Sequence, residues 1–381
     1  MKRLVGLSNK VWGVGVGNIF TDYFDNKDRY LYEMTQRHKC IGSLCVHIPE
    51  EIIYAAGFQP VRLTSSIGPI VEAEGYLPSY ICGFARGCLE NALKKNYEHL
   101  EGVVFPHTCD TIRQLFPIWK MHTDHPYNWF LSYPMVLDSG EALELAYQEM
   151  LQFKSSLESF SGQAISDTTM WNAIRLFNEI RTALEEIAEK VTYRELWYIT
   201  NAGFVMQKED YLRLLKREID RGKREGHNRV KRNGKRTLHL TGSVIETPSI
   251  LELIEEEGGE VVSDDLCTGS RYYFHEVEEK GDDPIMALAK SYVGRAICPC
   301  KNSVEKRIEY MEKLIKKSDP ECILFVIQKF CDPHLFDFPT IKNHFEKQGV
   351  MVQKIEIEHD SDANEGVRTR VKALFEVLGG R

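Results

Sequence analysis

The chain is expected to be an α/β protein: two pseudo-symmetric, Rossmann-like parallel-sheet lobes with a helical middle segment. Three observations predict this. Short β-branched runs alternate with helix-period stretches over residues 1–140, the pattern turns almost wholly helical over 141–235, and the alternation returns over 236–381. At 381 residues the chain is longer than one core usually serves, so more than one folding unit is expected.

In the first lobe, PEEIIYAAG (49–57) has the apolar spacing of a helix that stops at Gly57. PVRLTS follows as a short strand, and GVVFPHTCD (102–110) reads as a buried strand running into a turn. In the middle segment GEALELAYQEMLQFKSSLESF, TMWNAIRLFNEIRTALEEIAEKV and KEDYLRLLKREIDRGKREGHNRVKR carry helical periodicity with few strand signals. In the last lobe RTLHLTGSV is read as strand and turn, PSILELIEEEGG as a helix with a glycine stop, and EVVSDDLC and CILFVIQKFCD as strands. The two α/β parts resemble a diverged duplication. GSLCVHIPEEIIYAAGFQPVRL aligns with TGSVIETPSILELIEEEGGEVV, ICGFARG with LCTGSRY, and GVVFPHTCD with ILFVIQKFCD. The middle pairing gives Cys82/Arg86 and Cys267/Arg271 one Cys-x-x-x-Arg spacing.

A net charge of −8 argues against nucleic acid as the main partner. No apolar run reaches membrane-spanning length, and the amino terminus lacks a secretory cleavage pattern, so a cytoplasmic protein is expected. In that compartment the ten cysteines are not a disulfide framework. GVGVGN lacks the spacing of a dinucleotide loop and is read as a turn. The tract KREIDRGKREGHNRVKRNGKR is read as a solvated helix end and linker, with docking as the sharper alternative.

The cysteines carry the functional argument. In open α/β sheets ligands bind beyond the carboxyl ends of the strands. Cys82, Cys109, Cys267 and Cys331 fall at predicted strand ends, and Cys45 and Cys300 at predicted turns, so facing lobes would aim six thiols into one cleft. A lone cysteine is more often a small buried hydrophobe, and Cys40, Cys88 and Cys322 are assigned to packing. Cys298 stays open, because either member of Cys298-Pro-Cys300 could ligate. Zinc ribbons need close Cys pairs that this chain lacks elsewhere, whereas scattered thiolates suit soft metals and iron–sulfur clusters.

The segments CVHIPEEIIYAAGFQPVRL, YICGFAR, HTCD, DDLCTGSRYY, CPCKNSVEKR, KFCDP and IEIEHDSDANEGVRTRVKALFE resemble the 2-hydroxyacyl-CoA dehydratase and benzoyl-CoA reductase superfamily. The resemblance covers both lobes. It implies that Cys82, Cys109 and Cys331 hold a [4Fe-4S] cubane. Cys45, Cys267 and Cys300 are similar to additional positions of the double-cubane branch, implying an [8Fe-9S] unit. It also implies a small-molecule substrate and a separate ATP-hydrolysing iron–sulfur reductase, since no phosphate-binding loop is present here. RLTSSIG has Thr64 and Ser65 where a dehydratase subunit would be expected to carry a glutamate, which weakens the dehydratase alternative. A non-catalytic electron carrier is the third alternative. His107 and His334 are the expected proton donors, with Glu51 as a further catalytic candidate, although a first-turn acid more often complements the helix dipole. Arg86 and Arg271 are expected to neutralise cluster charge. A homodimer is expected, matching the symmetry of a dimeric ATPase partner.

Overall fold

The computed structural model describes residues 17–65, 68–137, 139–225, 234–295, 298–301, 303–358 and 365–379. Most of GVGVGN and the centre of the basic tract lie outside the described residues. Helices α1 (Gly17–Asp25) and α2 (Lys27–Thr35) precede β1 (Cys40–Ser43), α3 (Glu50–Ala55), β2 (Gln59–Arg62), α4 (Gly83–Leu93), β3 (Gly102–Pro106), α5 (Asp110–His122) and β4 (Tyr127–Leu131). Next come α6 (Gly140–Ser161), α7 (Asp167–Ala188), α8 (Tyr193–Ala202) and α9 (Lys208–Glu225). The second lobe runs β5 (Arg236–Gly242), α10 (Ser249–Glu256), β6 (Gly259–Asp265), α11 (Ser270–Tyr273), α12 (Pro284–Gly294), α13 (Val304–Ser318), β7 (Cys322–Gln328), α14 (Asp332–Lys347), β8 (Met351–Ile357) and α15 (Glu365–Gly379).

Both sheets are four-stranded and parallel, in the orders β2-β1-β3-β4 and β6-β5-β7-β8. The pseudo-symmetric α/β reading of the sequence therefore holds. Strands β3 and β7 are buried along their whole length, which is why their sequences are nearly continuous apolar runs rather than alternating ones. Two glycines are dictated by the close approach of backbones. A Cβ at Gly102 would sit 2.2 Å from the Tyr127 carbonyl oxygen on β4, and one at Gly242 only 1.9 Å from that of Val326 on β7.

Helices α6 and α7 brace both lobes. Ser139 and Ser166 cap their amino termini, and Gly162 ends α6 in the left-handed region. Apolar faces of both helices share one core with Ile41, Ile52 and Val104 from the first lobe and Leu288 and Tyr292 from α12. Polar bonds fix the same contact: the Tyr147 hydroxyl donates to Asp283 at 2.6 Å, and the Asn178 amide donates to the Val277 carbonyl at 2.8 Å.

Candidate metal centre

Parallel strands end in loops that feed helices, and three cysteines sit at those joints. Cys82, Cys109 and Cys331 are the N-cap residues of α4, α5 and α14. Each thiol faces the unsatisfied N–H groups of a first helical turn, where a thiolate is favoured. Cys109 and Cys331 are topological equivalents, each following the third strand of its lobe. Phe330, immediately before Cys331, has a φ of 67°, an uncommon left-handed conformation for a bulky residue that turns the chain into α14.

The Cys-x-x-x-Arg echo is corrected by the topology. The counterpart of Cys82, ahead of the crossover helix to the third strand, is the Cys298–Lys301 loop before α13, whereas Cys267 directly follows β6. The two arginines differ accordingly. Arg86 donates to the Ile81 carbonyl at 3.0 Å and lies 3.7 Å from Glu74. Arg271 is buried and grips Asp265 with two bonds of 2.5 and 2.8 Å.

The thiols of both lobes interact. Cys45 feels the charges of Cys298 and Cys267, and Cys331 those of Cys82, Cys109 and Cys298. Cys300 shares hydrogen bonds with Cys109 and Cys298, so Cys300 titrates high while those two titrate low. Burial pushes Cys45 and Cys82 up to about 12. Among the described residues no three His, Cys, Asp or Glu side chains form the tight shell of a single metal ion.

Cations surround part of this thiol group. Arg62 donates to the Cys267 carbonyl at 2.7 Å, and the Lys301 ammonium donates to the carbonyls of His107 and Pro134 at 2.8 and 3.1 Å. Both are buried, and among the described residues neither has a carboxylate within ion-pair distance. A buried cation without an acid is costly. Arg62 and Lys301 beside sulfur ligands therefore fit an anionic, thiolate-held cluster, and the donor set fits iron–sulfur chemistry.

The other sequence candidates separate. Glu51 is fully buried, its oxygens engaged by Arg181 and, at 3.0 Å, by the Tyr292 hydroxyl. It ties α3 to α7 and α12, a bracing position with no open face. His334 is buried with its Nδ1 3.4 Å from Arg307, and burial followed by the Arg307 and Arg271 charges holds its pKa well below the usual range. His107 is partly exposed, its pKa lowered by burial and then by Lys301. Sequence reasoning missed His47, which contacts Cys298, and it missed Lys301, although CPCK places that charge beside Cys300. It also missed Glu246, which accepts from the Ser65 N–H at 2.7 Å and from the Ser65 hydroxyl. Ser65 and Thr64, the departures noted in RLTSSIG, thus stand beside a carboxylate delivered by the opposite lobe. Gln328 accepts from the Phe84 N–H at 2.9 Å and donates to the Val244 carbonyl at 3.0 Å, hitching the start of α4 to the second lobe. A cleft of about 440 Å³ opens beside this hitch, lined by Ile70, Gly83 and Arg86 on one side and Lys329 and Phe330 on the other.

Two parallel-sheet lobes whose strand-end thiols meet across their interface define a two-lobed, cysteine-centred α/β protein. The chain belongs to the 2-hydroxyacyl-CoA dehydratase and benzoyl-CoA reductase family: residues 45–378 match the family described as 2-hydroxyglutaryl-CoA dehydratase, D-component. It is 27% identical to the (R)-phenyllactyl-CoA dehydratase beta subunit of Clostridium sporogenes, over 95% of this chain and 98% of that one. It is 25% identical to the beta subunit of (R)-2-hydroxyglutaryl-CoA dehydratase from Acidaminococcus fermentans, over 90% and 93% of the two chains. It is also 25% identical to a benzoyl-CoA reductase subunit of Thauera aromatica, over 84% and 85%. Among the described residues no helix is long and apolar enough to cross a membrane.

Proposed function

We propose that the chain is the substrate-reducing component of an ATP-dependent enzyme system and holds an [8Fe-9S] double cubane. Cys82, Cys109 and Cys331 would hold one cubane, and Cys45, Cys267 and a member of the Cys298/Cys300 pair the other. The observation that carries this reading is that Cys300 of one lobe shares a hydrogen bond with Cys109 of the other, while Cys45 and Cys331 each feel the charges of thiols from the opposite lobe. The charge of Cys298 acting on Cys45 favours Cys298 as the third ligand of the second group, with Cys300 bridging toward Cys109.

When bound, such a cluster supplies low-potential electrons one at a time. The chain's own residues do the rest. The helix starts behind Cys82, Cys109 and Cys331 stabilise thiolate charge, and Gln328 holds the lobes in register. The cleft beside α4 admits a small molecule. His107, partly exposed and two residues from Cys109, is the group placed to pass a proton; His334 is occupied by Arg307. The electrons come from a separate ATP-hydrolysing iron–sulfur reductase, and a homodimer would present two equivalent docking sites to it.

A dehydratase subunit with one [4Fe-4S] cubane is the second reading, favoured by the near full-length similarity to dehydratase beta subunits. It requires only Cys82, Cys109 and Cys331. Serine substitution of Cys45, Cys267 and Cys298, one at a time, separates the two. The double-cubane reading expects each variant, purified without oxygen, to lose iron and its visible absorption relative to the parent. Parent-level iron in all three variants would leave only the single-cubane reading.

A further inference from the structure

The two thiol groups lie in different electrostatic surroundings. Around Cys45, Cys267 and Cys298 stand formal cations: Arg62 on the Cys267 carbonyl, and Lys301, one residue past Cys300, within reach of the Cys298 and Cys45 charges. Both are buried, and among the described residues neither has a carboxylate within ion-pair distance. The neighbouring acids are committed elsewhere: Glu50 to Lys208 at 3.5 Å, Glu51 to Arg181, and Asp265 to Arg271 and Arg307.

Around Cys82, Cys109 and Cys331 the positive charge comes from the starts of helices of 11, 13 and 16 residues. At about half a charge per helix these supply about one and a half charges. Glu246, held by Ser65 and close enough to act on Cys82, cancels about one of them, and Arg86 is offset by Glu74. One side thus carries about two uncompensated charges and the other well under one.

We infer that Arg62 and Lys301 make the Cys45/Cys267/Cys298 side the first to accept an electron, while Glu246 keeps the Cys82/Cys109/Cys331 side, which borders the cleft, the harder to reduce and so the stronger donor. This inference rests on the double-cubane reading. Each electron added lowers the charge of the bound core by one, and uncompensated cations favour that change on their own side. The chain is thereby polarised: a reservoir among the cations and a delivery face by the cleft.

The test is a stepwise reductive titration of the anaerobically purified, iron-loaded full chain with Ti(III) citrate, each electron converting one Ti(III) to Ti(IV), followed by electron paramagnetic resonance and visible absorption. Lys301→Met is expected to make the first step about tenfold less favourable, a fall of about 59 mV for one electron, and to leave the second step nearly in place. Glu246→Gln is expected to raise the second step and leave the first. Should Lys301→Met not assemble, Glu246→Gln decides alone: a rise of the first step instead of the second overturns the inference, as does equal movement of both or of neither. Four irons per chain in the parent would sink the double-cubane reading before any potential is measured, so the two failures are distinguishable.

Discussion

Replacing Asp265 by asparagine removes a buried negative charge that two buried guanidinium groups share. Asp265 is fully buried, and Arg271 and Arg307 beside it are nearly so. Arg307 keeps a second acid, Asp337 at 3.0 Å, and the Thr241 hydroxyl at 3.1 Å; among the described residues Arg271 pairs with no acid but Asp265. With an effective dielectric of about 20, a pair at 2.8 Å attracts by roughly 6 kcal/mol. The asparagine carbonyl retains part of this as a hydrogen bond, so Asp265→Asn is expected to cost about 3–5 kcal/mol, the usual loss when one member of a buried pair is removed. The sign with pH follows. Burial alone would raise the Asp265 carboxyl, but the two guanidinium charges outweigh it and hold its pKa below the ordinary range. The stabilisation is therefore present above the unfolded-state pKa and lost as pH falls through the folded one. The assay is anaerobic urea unfolding of the parent, Asp265→Asn, and the double variant Asp265→Asn/Arg271→Met. The double variant is expected to recover most of the loss, because the orphaned charge is gone. A single-variant cost below about 1 kcal/mol, or a double variant weaker than the single by about another 3 kcal/mol, would rule out an orphaned Arg271 charge as the cause.

Two further outcomes follow from particular residues. His239 is fully buried with its Nδ1 2.8 Å from the Ser263 hydroxyl, and burial lowers its pKa to about 4. It folds neutral and must charge on unfolding, so its cost emerges as pH falls from about 6.5 toward 4. His239→Gln should therefore gain about 2–3 kcal/mol relative to the parent between pH 7.5 and 4.5, read by urea unfolding, and a gap independent of pH would contradict this. Gly242→Ala, at φ 138° with 1.9 Å between the new Cβ and the Val326 oxygen, should cost more than about 4 kcal/mol or abolish soluble expression. Gly57→Ala, at φ 87° with open space around it, should cost only about 1–2 kcal/mol; equal melting shifts for the two would show that backbone crowding at β7 is not the cause.

Local signals reached far into this fold. The apolar runs of β3 and β7, the glycine stop after α10 and the periodicity of α6 and α7 are written in neighbouring residues, and the structure places these elements where those signals stand. The strand-end position of Cys109 and Cys331 was legible for the same reason. What was hidden is non-local. Arg62 meets the Cys267 carbonyl across 205 residues, and Ser65 meets Glu246 across 181. Both contacts exist because α6 and α7 brace one lobe against the other, and no local period reports that. The Cys-x-x-x-Arg echo misled because spacing alone cannot tell a loop after the second strand from a loop before the crossover helix. Glu51 was legible as a first-turn acid but not as the buried partner of Arg181, 130 residues away.

On the proposed double-cubane reading, the thiols of both lobes surround one inorganic core larger than a single cubane. Iron and acid-labile sulfide per chain, measured on protein purified without oxygen, test it most directly. About eight irons and about nine sulfides per chain are expected, whereas about four of each would leave only a single cubane.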